Sequence, residues 1–99
     1  MIVTIFKVTK RNKDVPLITR TPEMTEIVNV CKAEGKMLAE SSSRSEDELT
    51  STYQAIWSNR EDYIEFIKNP VVIDFSERRA EINVTHGSTV EFQILNYED

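Results

Sequence analysis

Residues 57–70 of the chain read WSNREDYIEFIKNP. Asn59 can cap a helix that begins at Arg60, because its side chain can accept a hydrogen bond from an unpaired backbone N–H of the first turn. The acidic residues at 61 and 62 are favourable in that turn, where the helix dipole is positive. Asn69-Pro70 repeats the capping signal, and proline is tolerated at the first helical position but not in a helix interior. The stretch therefore predicts a helix that is broken near Pro70 and followed by a second helical segment.

The segment after Pro70 has two interpretations. Val71, Phe75 and Ile82 can mark one face of a helix that stops at Gly87. The alternative is a pair of strands, over residues 71–75 and 80–85. We prefer the helix because residues 76–81, SERRAE, contain no β-branched residue and include good helix formers.

The rest of the chain supplies four strands and another helix. Residues 2–9 are dense in β-branched residues and alternate with period two, which predicts a strand. Thr21-Pro22 begins a helix that Gly35 ends, and its apolar stripe is Met24, Ile27, Val28 and Cys31. Residues 36–43 and 49–57 predict two strands around a polar loop, and residues 89–95 predict a final strand before an acidic tail. Residues 15–18 fit either a short strand extension or an apolar loop over the core.

The order strand, helix, strand, strand, broken helix, strand is the split β-α-β arrangement of ferredoxin-like α+β domains. We expect residues 1–99 to form one such domain. Helices on one face of a four-stranded sheet leave the other face bare, yet the first strand is apolar on both faces. Ile2, Phe6 and Val8 lie on one face, and Val3 and Ile5 on the other. A second copy of the same sheet is the simplest cover, so we expect a homodimer.

The second half of the chain resembles the dimeric α+β barrel superfamily, in particular antibiotic biosynthesis monooxygenase-like proteins. The resemblance spans residues 49–95: a strand, the pattern W-S-x-x-E-D-Y-x-x-F over 57–66, the Asn-Pro break, an arginine-bearing helix and His86-Gly87. It implies a ferredoxin-like β-α-β-β-α-β sandwich that pairs into a dimeric barrel. It does not fix an activity, because members include cofactor-free monooxygenases, haem-degrading enzymes, isomerases, dehydratases and stress-response proteins.

The same resemblance implies where a ligand would bind. Cofactor-free monooxygenases of this superfamily position a substrate with Trp, Asn and Tyr side chains between sheet and helices, so Trp57, Tyr53 and Asn59 are candidate ligand-binding residues. His86 joins them because haem-degrading members use a helix histidine as the haem ligand. Structural roles compete with these assignments: Tyr53 and Trp57 also suit a core, and His86 suits a helix C-terminus.

Composition limits the partners. The 99 residues include 12 basic and 17 acidic side chains, for a net charge of −5 at pH 7, which disfavours nucleic acid and anionic membrane as partners. The longest apolar runs are far too short to span a bilayer. A single cysteine, Cys31, excludes an intrachain disulfide, and we expect a cytoplasmic protein. One histidine and one cysteine form no metal-binding motif, so we expect no metal and no cofactor.

We interpret the chain as a small homodimeric α+β barrel protein that acts without enzymatic activity, through contacts with a protein partner or by weak binding of a small hydrophobic ligand. The alternative is a cofactor-independent monooxygenase-like enzyme that acts on a small aromatic or polyketide-type molecule near Trp57 and Tyr53. A ligand binder should contain a pocket of roughly 300 Å³ or more with convergent polar groups. An interaction module should instead have filled space between sheet and helices.

Overall fold

A computed structural model describes residues 1–97 of the chain, so the end of the predicted acidic tail, at 98 and 99, lies outside the described residues. The elements in chain order are β1 (Ile2–Thr9), α1 (Pro22–Ala33), β2 (Met37–Arg44), β3 (Thr50–Trp57), α2 (Arg60–Ile67), α3 (Pro70–Thr85) and β4 (Thr89–Asn96). The predicted order is confirmed. Residues 71–85 lie in α3, so the alternative of two strands is wrong for this segment.

Side-chain caps begin all three helices where the sequence predicts them. The Thr21 hydroxyl accepts a hydrogen bond from the Met24 N–H, which satisfies one unpaired donor at the start of α1. The side-chain amide oxygen (Oδ1) of Asn59 accepts a hydrogen bond from the Asp62 N–H at 2.9 Å in the same way, at the start of α2. Asn69 caps α3, whose first residue is Pro70, so the helical region breaks between 67 and 70.

The four strands form one sheet in the order β2-β3-β1-β4, with each neighbouring pair antiparallel. This is the ferredoxin-like α+β arrangement. The sheet pairs Ile2 with Trp57 at one end of β1 and Thr9 with Thr50 at the other. On the face that the helices cover, the core consists of Ile2, Val28, Met37, Ala55 and Trp57.

The opposite face of the sheet carries most of its apolar residues in one row near the Ile2 end of β1, while Ile5 lies between Gln54 and Gln93. By the strand register, the apolar residues of this face are Val3, Ile5, Ala39, Ile56 and Leu95. Gln54 and Gln93 on the same face are exposed, so the described chain leaves this face open to solvent. None of the helices within residues 1–97 combines the length and apolar character that crossing a bilayer requires.

Candidate functional site

A cavity of about 640 Å³ lies between the helix-covered face of the sheet and the helices. Its sheet wall comes from β1, β2 and β3, with Phe92 of β4. Its helical wall comes from α2 and α3, with Met24 of α1. Leu17 and Ile18 of the loop before α1 also line it, so residues 15–18 form an apolar loop over the core. The volume lies within the range of about 300–1,000 Å³ typical of small-molecule sites.

Aromatic side chains form most of the apolar wall. Trp57 lies 4.9 Å from Phe66 and 5.4 Å from Tyr63 between ring centroids, and Tyr63 stacks on Phe92 at 6.5 Å. Trp57 is only 1% exposed, and its indole N–H donates a 3.1 Å hydrogen bond to the Thr4 hydroxyl. Because its N–H already has an acceptor and its ring is almost fully covered, Trp57 supports the cavity wall from the core and offers a ligand no hydrogen bond.

A charged network occupies one edge of the cavity. Both carboxylate oxygens of Glu40 are paired, one with Arg20 and the other with Lys32, each at 2.9 Å. Desolvation raises the pKa of Glu40, but the hydrogen bonds and charges of the two cations outweigh it, so the pKa lies below its usual value. Arg20 also donates to the Tyr53 hydroxyl at 3.3 Å. Burial raises the pKa of Tyr53, so its phenol stays protonated at neutral pH.

The inner face of α3 brings two polar side chains to the cavity. Arg79 is partly buried, and its guanidinium carbon lies 3.7 Å from the Phe6 ring centroid and 5.7 Å from that of Phe75. Desolvation lowers the pKa of Arg79, although the guanidinium remains charged at any physiological pH. Asn83, one turn further along α3, is 5% exposed and also lines the cavity.

The four candidate residues from the sequence divide into two pairs. Tyr53 and Trp57 lie together on the helix-facing side of β3, and both line the cavity. Asn59 is exposed, and its side chain caps α2; it is not among the lining residues. His86 is exposed at the C-terminal end of α3 and also lies outside the lining. Asn59 and His86 therefore lie at helix ends, and Tyr53 and Trp57 lie at the cavity.

Sequence reasoning missed most of the polar residues of the site. Arg20 and Glu40 come from a loop and from β2, and no local pattern links them. Arg79 and Asn83 share the buried face of α3 with Val72, whereas the predicted face was Val71, Phe75 and Ile82. The sequence held one signal that Arg79 lies on the cavity side of α3. Arg79 is four residues after Phe75, and residues at i and i+4 share a helix face.

The site supplies hydrogen-bond donors and positive charge but few groups that could accept a proton. Glu40 is the single carboxylate among the cavity residues of the described chain, and it is held as an ion pair with two cations. Within residues 1–97, no group of three or more His, Cys, Asp or Glu side chains is arranged to hold a metal ion. The arrangement can enclose a flat ring and stabilise a negative charge.

Solved structures of several other proteins share this architecture. A conserved protein of unknown function from Bacteroides thetaiotaomicron superposes with a TM-score of 0.68 at 11% identity, over 97% of this chain and 96% of its own. An antibiotic biosynthesis monooxygenase superposes with a TM-score of 0.66 at 13% identity, with 100% of both chains covered. SnoaB from Streptomyces nogalater, a cofactor-independent oxygenase, gives 0.58 at 13% identity, over 99% of this chain and 93% of its own.

The chain has the fold of the antibiotic biosynthesis monooxygenase-like proteins. The resemblance first seen over residues 49–95 is thus confirmed at the level of fold, and it extends over the full chain. No protein-family model and no curated protein sequence matches the chain. At 10–17% identity the similarity concerns the fold, and activity has to be argued from the cavity itself.

Proposed function

We propose that the protein binds a small aromatic molecule in the cavity between sheet and helices. The observation that carries this proposal is an open space of about 640 Å³ in a region that a purely structural domain would fill. Rings from Phe6, Tyr63 and Phe92 would contact a flat ligand, and Tyr53 and Thr4 add hydroxyl groups to the lining. Of the two uses suggested by the sequence, ligand binding is favoured over protein contacts alone.

A cavity-filling substitution tests this proposal. Ser76 lines the cavity from α3, whereas Ala80 on the same helix is exposed. Ser76→Phe places a ring inside the cavity, and Ala80→Phe places the same ring outside it. Binding of a naphthalene-based dye, followed by quenching of the sole tryptophan, should fall at least about tenfold in Ser76→Phe, as loss of a buried ring contact predicts. Equal affinity in both variants would contradict the proposal, provided that circular dichroism shows both to be folded.

A second candidate function is cofactor-independent oxygenation of an electron-rich aromatic molecule. It is favoured by the fold shared with the Streptomyces nogalater oxygenase and by the position of Tyr53 and Trp57 at the cavity. An anthrone substrate would lose its acidic C–H proton to solvent, because Glu40 is held by two cations. One dioxygen would then oxidise the carbanion to the anthraquinone with release of one water, and Arg79 is placed to stabilise the carbanion's negative charge in the cavity. Oxygen uptake with an anthrone in the presence of a metal chelator tests this function. The rate should exceed the buffer rate in wild type and in Ala80→Phe, and should fall to it in Ser76→Phe.

The homodimer remains part of the proposal, with the open face of the sheet as the contact surface. Ala39 and Leu95 are exposed on that face and Ile56 is half-buried, which supports it, since exposed apolar patches commonly mark an interface. Light scattering on a sizing column should give twice the 11.5 kDa chain mass. Location in the cytoplasm, a single domain and the absence of a nucleic-acid partner remain predictions from the sequence.

A further inference from the structure

The cavity carries positive charge in a protein that is acidic overall. The chain has a net charge of −5, yet the charged residues that line the cavity are three arginines, at 20, 44 and 79, and one glutamate, Glu40. Glu40 is already paired with Arg20 and with Lys32. The cavity is therefore positively charged although the protein has a net negative charge. A positively charged cleft concentrates negatively charged ligands.

Two of the cavity arginines, Arg44 and Arg79, have no ion pair among the described residues. Arg44 is exposed to water, which can solvate its charge, whereas Arg79 is partly buried. Within residues 1–97 no carboxylate lies in ion-pair range of its guanidinium. Its guanidinium lies over the rings of Phe6 and Phe75, whose faces attract a cation but cannot neutralise it. Tyr53 and Tyr63 are also near, but a neutral phenol does not balance the charge either. The adjacent Arg78, by contrast, is exposed and pairs with Asp74. A partly buried cation without a counterion is unfavourable unless something else satisfies it.

The polar groups collect at one end of the cavity. Along β3 the helix-facing residues run from Trp57 through Ala55 and Tyr53 to Ser51, which pairs with Val8. The Ser51 hydroxyl is buried, and within the described chain it has no hydrogen-bond partner. Along α3 the cavity residues change from Val72 and Phe75 to Arg79 and Asn83. Both walls thus become polar toward the end where α3 leads into β4.

We propose that the ligand is an aromatic acid, with its ring against the aromatic wall and its anionic group on Arg79, beside Asn83. This rests on the proposed function, since it specifies the ligand class for the same cavity. A carboxylate, sulfonate or phosphate would provide the missing counterion and accept hydrogen bonds from the guanidinium. The Asn83 amide and the Ser51 hydroxyl are additional donors at that end of the cavity.

A matched pair of dyes tests the charge requirement. 1-Anilinonaphthalene-8-sulfonate carries the ring system and an anion, and N-phenyl-1-naphthylamine carries the same ring system without the anion. Wild type should prefer the sulfonate by about 10- to 100-fold, the range expected of hydrogen bonds to charged groups. Arg79→Gln should lose this preference and keep its affinity for the neutral dye. Arg78→Gln, which removes a neighbouring exposed arginine, should behave as wild type.

Two further variants make the outcomes separable. Arg79→Lys keeps the cation and should retain most of the preference, and Ser76→Phe should weaken both dyes if they bind in the cavity. Equal affinity of wild type for the two dyes, or a preference that survives in Arg79→Gln, would overturn the assignment of an acid while leaving the cavity as a binding site. Failure of wild type to bind either dye would overturn both proposals. Circular dichroism of each variant shows whether it is folded.

Discussion

Trp57 provides the sharpest test of how the helices are held on the sheet. The indole is 1% exposed, packs against Tyr63 and Phe66 of α2, and donates to the Thr4 hydroxyl. Trp57→Ala removes the ring contacts and leaves a void beside an existing cavity. We expect it to lower the free energy of unfolding by about 3–5 kcal/mol, the usual range for a buried aromatic side chain.

The hydrogen bond can be separated from the packing. Trp57→Phe keeps a ring but loses the donor, and Thr4→Val removes the acceptor and leaves a buried indole N–H unpaired. Each single substitution should cost about 1–3 kcal/mol, the desolvation penalty of a buried group without its partner. The double variant should cost less than the sum of the two, because neither polar partner remains.

Urea denaturation followed by far-ultraviolet circular dichroism measures these changes without relying on the tryptophan signal. Thr4→Ser, which keeps a hydroxyl at the same position, is the matched control and should retain the bond. A loss of less than about 1 kcal/mol in Trp57→Ala would refute the reasoning, because surface substitutions away from the core already fall within about half that value. Additive single and double variants would refute the coupling between Trp57 and Thr4.

Three further predictions concern charge, capping and assembly. Glu40→Gln should lower stability by about 1–2 kcal/mol at pH 7, where the ion pairs of the carboxylate are complete. The pKa of Glu40 is lower in the folded protein than its ordinary value of 4.5. The stability difference between wild type and Glu40→Gln should therefore shrink as the pH falls below 4.5 and the carboxylate is protonated. A stability difference that persists at pH 2 contradicts this prediction. Asn59→Ala should lower the melting temperature, because loss of the cap costs about 1 kcal/mol of folding free energy. It should leave dye affinity unchanged in a fluorescence titration. Weaker dye binding would restore a ligand role for Asn59. If the proposed homodimer forms through the open sheet face, Ile5→Lys on that face should give the monomer mass in light scattering and Ala80→Lys should keep the dimer mass. A dimeric Ile5→Lys variant argues against this face.

Helix boundaries were predictable because their signals are local. Thr21 and Asn69 cap helices whose first residues are prolines, and each signal acts within one turn. The strand faces were also predictable, since alternation along β3 sets which side chains point toward the helices. Tyr53, Ala55 and Trp57 share the helix-facing side, as the period of two requires.

The polar half of the site was not predictable from the same patterns. An amphipathic helix is expected to direct arginine and asparagine to solvent, so the apolar pattern of α3 gave no reason to include Arg79 and Asn83 in its buried face. The inward position of these two side chains becomes apparent only in the folded protein, where the core does not fill the space between α3 and the sheet. Ser42 shows the same limit: it lies in β2 as the predicted strand over residues 36–43 requires, but no local pattern indicates that it lines the cavity.

The central claim, that the cavity binds a small aromatic molecule, is tested most directly by nuclear magnetic resonance of isotope-labelled protein with 1-naphthoic acid. Intermolecular Overhauser effects report protons within about 5 Å, the scale of ring contacts. Binding in the cavity predicts effects from the naphthalene ring to Val72, Phe75 and Phe92, all of which line it. Effects confined to Val3, Ile5 and Ile56 on the opposite face of the sheet, or no effects at saturating ligand, would contradict the claim.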